Sequence, residues 1–347
     1  MLKKVVGFEA ANSFVKVFTR GRQAVYANTI TELGQESFSK VLETTERNAN
    51  TVYTVNGKSY NVGLTHKYRT SSGTDIERYK SEMYLIESLI AISQVVDDGE
   101  TITVATGIPA DHYHAKGTAK QYINAALVGT HTILVNGNEL TFTIKEVVVI
   151  LQPLASYFYA LVNELGTADD SMIERIENTE TLIIDIGFGT TDLAYCLGYN
   201  LHNFDVVTDS MKTVYEKVAQ QLKADAAAKN VKLATAKIKL LDLEKQIREK
   251  KYFTYANKRY DVMGTYEKAL KETASNIIAD VRSSTGLDQF TTIIFTGGGS
   301  KSMAAYIENE LKDPATDNLP ENIFFIDSKA AQMANVKGYF VYTNYLR

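Results

Sequence analysis

Between Asp185 and Asp192 the chain reads DIGFGTTD, directly after the apolar run Thr181–Ile184. Gly187 and Gly189 lack a Cβ, so the backbone there can bend sharply and approach a ligand closely. Turn N–H groups can converge on phosphate oxygens, and Thr190 and Thr191 add hydroxyl donors. Asp185 stands at the strand end, where a carboxylate can hold Mg²⁺ through water, because this ion keeps much of its hydration shell. The competing reading is a plain β-hairpin with a glycine turn.

Three further segments carry related chemistry. EAANSFVK, Glu9–Lys16, has the same outline: a carboxylate closing an apolar strand, small residues at the second and fourth positions after it, then a charge. Here Asn12 and Ser13 would offer N–H groups and Lys16 would neutralise phosphate charge; the alternative is a hairpin with a solvated lysine. TGGGS, Thr296–Ser300, follows a short apolar strand and opens a helix, whose free N–H groups and dipole favour an anion. Gly297 and Gly298 would let a flat ribose or base lie against the backbone. In LQPLA, Leu151–Ala155, Gln152 could orient a water for in-line attack on a γ-phosphate, although a strand cap explains that pentapeptide better.

The elements that must position these groups alternate between strand and helix, which predicts an α/β architecture. Strands are expected at Leu2–Val6, Phe14–Thr19, Val25–Thr31, Thr51–Val62, Thr101–Thr106, His131–Val135, Leu140–Ile144, Val147–Leu151, Thr181–Ile186, Asp192–Leu197, Thr292–Thr296 and Ile323–Ile326. Asn56-Gly57 and Asn136-Gly137 mark hairpin turns. Helices are expected at Ser72–Asp97, Thr118–Ala126, Leu154–Leu165, Ser210–Lys251 as one long region, Tyr266–Ser284, Lys301–Leu311 and from Lys329 to about Tyr345. The plan repeats: Glu9–Lys16 aligns with Asp185–Asp192, and Thr106-Gly107 aligns with Thr296-Gly297. The chain therefore reads as two related halves, each pointing a hairpin turn at a shared cleft.

Composition narrows the functions. A length of 347 residues suits two domains of about 150 residues. Apolar residues at 45 % and charged residues at 22 % are ordinary globular values. The net charge of −4 argues against chain-wide attraction to nucleic acid or anionic membrane. The basic region Lys229–Arg259 holds ten Lys/Arg against three Asp/Glu and reads as a solvated or partner-facing helix face. A single cysteine, Cys196, fits a reducing compartment. No signal peptide is visible, and the apolar stretch Val147–Val162 is broken by Gln152-Pro153, short of the ~20 residues of a membrane span. A cytoplasmic protein without a membrane role is expected. The pair His112 and His114 has no third ligand nearby in sequence and reads as loop chemistry.

In this order the motifs resemble the superfamily of ATPases that joins actin, the heat-shock chaperones and the sugar kinases. The phrases VATGIP, LQPLASY, DIGFGTTD, FTGGGS and ANVKGYF are most similar to bacterial ParM-type actins, and Ile326-Asp327 with Ala334–Tyr339 looks like the family's second connecting helix. The resemblance implies an actin-like fold of two duplicated ribonuclease H-like domains flanking a nucleotide cleft. Domain I would comprise residues 1–163 and 327–347 with an insertion at about 25–98. Domain II would comprise 164–326 with a helical subdomain at about 210–285. It implies ATP (with GTP as the alternative) and Mg²⁺ as ligands. By motif match, Asp185 and Glu9 would serve the metal and Gln152 the attacking water. Asn12, Ser13, Lys16, Gly187, Gly189, Thr190 and Thr191 would hold phosphates. Gly297, Gly298 and Lys245 would border the nucleoside. The implied function is an ATP-dependent filament that segregates plasmid DNA through a DNA-binding adaptor at a centromere-like site, touching nucleic acid only indirectly. A small-molecule kinase and a non-polymerising ATPase scaffold are the alternatives on the same fold. Two departures stand out: Glu9 replaces the usual aspartate, and Ala11 the usual glycine.

Overall fold

The computed structural model describes residues 4–11, 13–34, 51–64, 75–229, 232–326 and 331–347. The chain divides into two compact units, Met1–Ile173 with Met333–Arg347, and Glu174–Gln332.

The first unit opens with β1 (Lys4–Ala10), β2 (Phe14–Thr19), β3 (Arg22–Ala27), β4 (Ile30–Glu32), β5 (Tyr53–Val55) and β6 (Lys58–Val62). There follow α1 (Glu82–Ser93), β7 (Glu100–Ile108), α2 (Ala110–Tyr113), α3 (Lys116–Leu127), β8 (Gly129–Val135), β9 (Asn138–Leu151) and α4 (Gln152–Leu161). Among the described residues these strands form one sheet in the order β3-β2-β1-β7-β9-β8-β5-β6-β4. β1 runs parallel to β7 and β7 parallel to β9, and both outer hairpins are antiparallel. The Asn56-Gly57 and Asn136-Gly137 turns hold both residues at positive φ, the geometry that matches the strand twist. β1 is buried along Val5–Glu9, as expected of a strand covered on both faces.

Helix α5 (Asp170–Ile176) crosses into the second unit. There β10 (Glu180–Ile186), β11 (Thr191–Leu197) and β12 (Asn200–Val207) form an antiparallel meander. Next come α6 (Met211–Ala228), α7 (Leu240–Lys250), the hairpin β13 (Tyr252–Tyr255) and β14 (Lys258–Asp261), and α8 (Met263–Thr285). β15 (Thr292–Thr296), α9 (Gly297–Leu311) and β16 (Ile323–Phe325) close this unit. Its sheet has the order β12-β11-β10-β15-β16, with β15 parallel to both neighbours. That order and sense repeat β3-β2-β1-β7-β9 strand for strand. The duplication read from the motifs is thus a repeat of topology.

Several expectations need correction: the strands expected to end at Ile144 and begin at Val147 are the single β9, and the helix expected over Ser72–Asp97 is α1 behind a separate 3-10 turn at Ile76–Lys80. The region Ser210–Lys251 is two helices, because the apolar i, i+3/i+4 repeat lapses after Ala228 and Leu233 enters the core from a short 3-10 turn instead. α9 begins at Gly297 rather than Lys301, so the glycines form its first turn. The second motif alignment is out by one residue: Thr296 lies opposite Asp185, whereas Thr106 lies opposite Phe8 rather than Glu9.

The chain returns to the first unit as α10 (Ala334–Val341), which packs on α4 and β1. Three glycines make this approach possible. A Cβ on Gly7 would stand 2.1 Å from the Val336 carbonyl oxygen, and one on Gly338 would stand 1.7 Å from the Ala155 carbonyl oxygen. At Gly107 the Tyr339 ring fills the place of a side chain.

Candidate functional site

In the first unit the β1–β2 hairpin places Glu9 opposite Lys16 in the ladder, and both side chains leave the same face. Glu9 is buried, and its Oε2 accepts from Lys16 Nζ at 2.5 Å. Asn335 of α10 donates through Nδ2 to Glu9 Oε1 at 3.4 Å and accepts at Oδ1 from Ser156 Oγ of α4 at 2.5 Å. A polar relay therefore runs from α4 through α10 to the hairpin. Gln152 is the first residue of α4, with Pro153 following, a position that needs no backbone donor.

The turn after β1 is held from behind. Arg78 donates to the Ala10 carbonyl at 2.9 Å, and Asn28 donates to the Ala11 carbonyl through its amide side chain and to the Ser13 carbonyl through its backbone, both at 2.7 Å. Arg78 is itself buried and paired with the fully buried Glu87 at 3.6 Å. Occupying these carbonyls removes the groups that would repel an anion. Asn12 lies outside the described residues.

In the second unit the turn Gly187–Thr190 closes between β10 and β11, with the Gly187 N–H bonded to the Thr190 carbonyl. Its outer carbonyls are also occupied, since Met211 and Lys212 at the start of α6 donate to Gly187 and Phe188. Phe188 stacks on Tyr215, which stacks on Tyr266, fixing the turn to α6 and α8. Asp185 is buried opposite the buried Asp192. Two carboxylates facing each other across a ladder are mutually destabilising, so the pair calls for nearby positive charge.

α9 supplies part of it. Gly297 has φ +87°, and a Cβ there would stand 2.3 Å from Asp185 Oδ1 and 2.5 Å from the Ile186 carbonyl oxygen. The N-cap residue Thr296 makes no side-chain capping bond to α9, and Ser300 bonds back to the Gly297 carbonyl. The N–H groups of its first turn and the positive end of its dipole thus start beside Asp185. Gly298 is exposed, with open space where a Cβ would be. Lys245 sits half-buried on α7, the helix packed on α6, next to Glu244, whose carboxyl burial pushes upward against the opposing pull of Arg248.

The second unit therefore gathers Asp185, Gly187, Gly189, Thr190 and Gly297 around one turn and one helix end. Thr191 is not among them. It is fully buried in β11 and its hydroxyl donates to the Asp209 carbonyl, so it braces the entry to α6. Glu9 and Lys16 satisfy each other, which makes Glu9 the anchor of Lys16 rather than an open carboxylate. Asn335, Asn28, Arg78 and Asp192 were missed as site residues. Asn335 and Asp192 lie within quoted motifs; Arg78 and Asn28 carry no local signal. His112 is a buried partner of Tyr79, at 2.9 Å. Among the described residues no cluster of three or more metal-ligating side chains occurs, and no helix is long and apolar enough to cross a membrane.

Two family models match in succession: the actin-like proteins' N-terminal domain over residues 12–154, and the archaeal actin homologue MreB-like C-terminal domain over residues 183–312. The chain belongs to the actin-like proteins. A search of curated protein sequences matched none of them. Among solved structures, this actin-like chain is similar to a 15-stranded ParM filament from Clostridium botulinum, with 18 % identity, a TM-score of 0.75 and 98 % of each chain covered. It is also similar to the actin-like protein Alp7A (17 %, TM-score 0.74, 99 % of this chain and 96 % of that one). The archaeal actin homologue Ta0583 in complex with ADP matches at 16 % identity and TM-score 0.71, covering 98 % of each chain. At these identities the likeness establishes the actin-like fold.

Proposed function

We propose that this actin-like protein binds ATP with Mg²⁺, polymerises in that state, and hydrolyses the nucleotide to destabilise the polymer. The observation that carries the reading is the second unit's turn, where a buried strand-end carboxylate, a glycine-lined bend and a glycine-rich helix N-terminus meet. The similarity to a ParM filament and to an ADP-bound actin homologue supports it. The facing Asp185 and Asp192 fit a divalent cation held largely through water. Mg²⁺ bound there would neutralise charge on the phosphate oxygens. Ser13, Gly187, Gly189 and Thr190 are assigned to phosphate through backbone N–H groups, Lys16 as a countercharge supported by Glu9, and Gly297, Gly298 and Lys245 to the nucleoside. Gln152 is assigned the orientation of the attacking water. The larger role, moving plasmid DNA through a DNA-binding adaptor, is proposed from the resemblance to ParM-type actins.

Light scattering and pelleting of the purified chain test the polymer directly. Scattering is expected to rise with ATP and Mg²⁺ and to decay as phosphate is released. Tight nucleotide binding without scattering would overturn the filament and favour a kinase or scaffold. No magnesium-dependent uptake of any purine triphosphate would overturn the site itself.

A further inference from the structure

β9 is longer than the partner on one of its sides. Its residues Phe142–Leu151 pair with β7, but β8 leaves it at the Gly129–Ile144 pair. Among the described residues no strand pairs with Lys145–Ile150 on that second side. The open edge forms one wall of a concave cavity of about 430 Å³. The opposite wall is a single face of α3, marked by Lys116, Lys120 and Asn124 at four-residue spacing, with Val128 just past the helix end. Tyr342 and Arg347 also line it.

The two walls match in length. Twelve residues of helix rise about 18 Å, and six residues of strand span about 17–20 Å. Such a slot takes an extended segment of about six residues. Its charge is one-sided, with Lys116, Lys120, Lys145 and Arg347 against the lone carboxylate Glu146, which pairs with Arg347 at 2.6 Å. Among the described residues no carboxylate pairs with Lys120 or Lys145. Val128 is an exposed apolar side chain at one end of the slot. An unpaired strand edge offers main-chain donors and acceptors, and alternate side chains of an added strand supply the selectivity.

We infer that this groove is a docking site for an acidic extended segment of a partner protein, which adds to β9 as a further strand while its carboxylates meet Lys120 and Lys145. The site lies wholly within the first unit and does not depend on nucleotide. It is tested on the full chain with a capped, fluorescent hexapeptide alternating glutamate with valine, and with the same peptide N-methylated at alternate residues. The first is expected to bind, to weaken as salt is raised, and to slow amide exchange at Lys145–Ile150. The N-methylated peptide keeps its charge but loses ladder donors, and is expected to bind on the order of tenfold more weakly. Lys120→Glu with Lys145→Glu is expected to weaken the parent peptide by a similar factor while leaving ATP-dependent light scattering unchanged. No protection at millimolar peptide overturns the inference. Equal binding of both peptides also overturns it, by showing charge attraction alone. Protection of the same amides that grows with protein concentration alone overturns it in favour of a second copy of the chain.

Discussion

Replacing Gly338 with alanine presses one methyl group into the seam between α10 and α4. The new Cβ would lie 1.7 Å from the Ala155 carbonyl oxygen and 2.3 Å from its carbon, and both obstacles are backbone. Restoring a 3.0 Å contact requires the helices to separate by about 1.3 Å. Alanine's better helix propensity returns only about 1 kcal/mol, whereas overpacking typically costs about 1–3 kcal/mol and more when rotamers cannot relieve it. With backbone on both sides the cost here is set above that range, at about 3–4 kcal/mol, so a net loss of about 2–3 kcal/mol is expected, or roughly 5–10 °C in Tm for a unit of this size. Because α4 begins with Gln152 and α10 carries Asn335, phosphate release should fall well below the melting temperature. The companion substitution Gly117→Ala puts the same methyl group into open space on α3 and should raise stability by a few tenths to about 1 kcal/mol. Scanning calorimetry of both proteins, with a phosphate-release assay at 25 °C, is the measurement. A Gly338→Ala protein melting at or above the parent would refute the seam.

Gly297→Ala should lower both stability and ATP affinity, whereas Gly298→Ala should keep the parent's melting temperature and weaken ATP alone; calorimetric titration separates them. Thr191→Val should lose about 1 kcal/mol of stability with ATP affinity unchanged, and a large loss of affinity would restore it to the phosphate site. Glu9→Asp should change the ATPase rate, because the shorter carboxylate cannot keep both Lys16 and Asn335; an unaltered rate would show that the relay is idle. Lys337 holds Glu164 at 2.9 Å. Burial works to raise the Glu164 carboxyl, but hydrogen bonds from Lys337 and Tyr159 outweigh it and leave it below its ordinary value of 4.5. A depressed acid stabilises the fold above that value and stops doing so as pH falls through the folded one. Lys337→Met should therefore cost up to about 1 kcal/mol at neutral pH, less for the pair's partial exposure, and that difference should vanish in acid melts.

What the sequence made legible was local. The strand–turn–strand frames around Glu9 and Asp185 follow from apolar runs broken by small residues, and the Asn-Gly turns announce their hairpins. The helix after Thr296 was visible too, because a glycine triplet behind an apolar strand has few other uses. The clamp on the first turn was not legible. Arg78 reaches Ala10 across 68 positions, and a buried arginine has no sequence periodicity to betray it. Nor could composition show that Thr191 points into the core, since threonine suits a turn hydroxyl and a strand equally. The one-residue slip between the two halves is a matter of ladder register, which motif spacing does not constrain.

Biosynthesis meets this architecture in an unusual order. Residues 174–332 emerge as one uninterrupted block able to close on itself, while the sheet begun by the first strand still lacks a wall. That wall arrives roughly 330 residues after Gly7, when Val336 leaves the ribosome. Until then the nascent chain carries bare glycines at Gly7 and Gly107 and a Glu9 held by Lys16 but not yet by Asn335, a state that invites chaperone custody. The half made first is finished last.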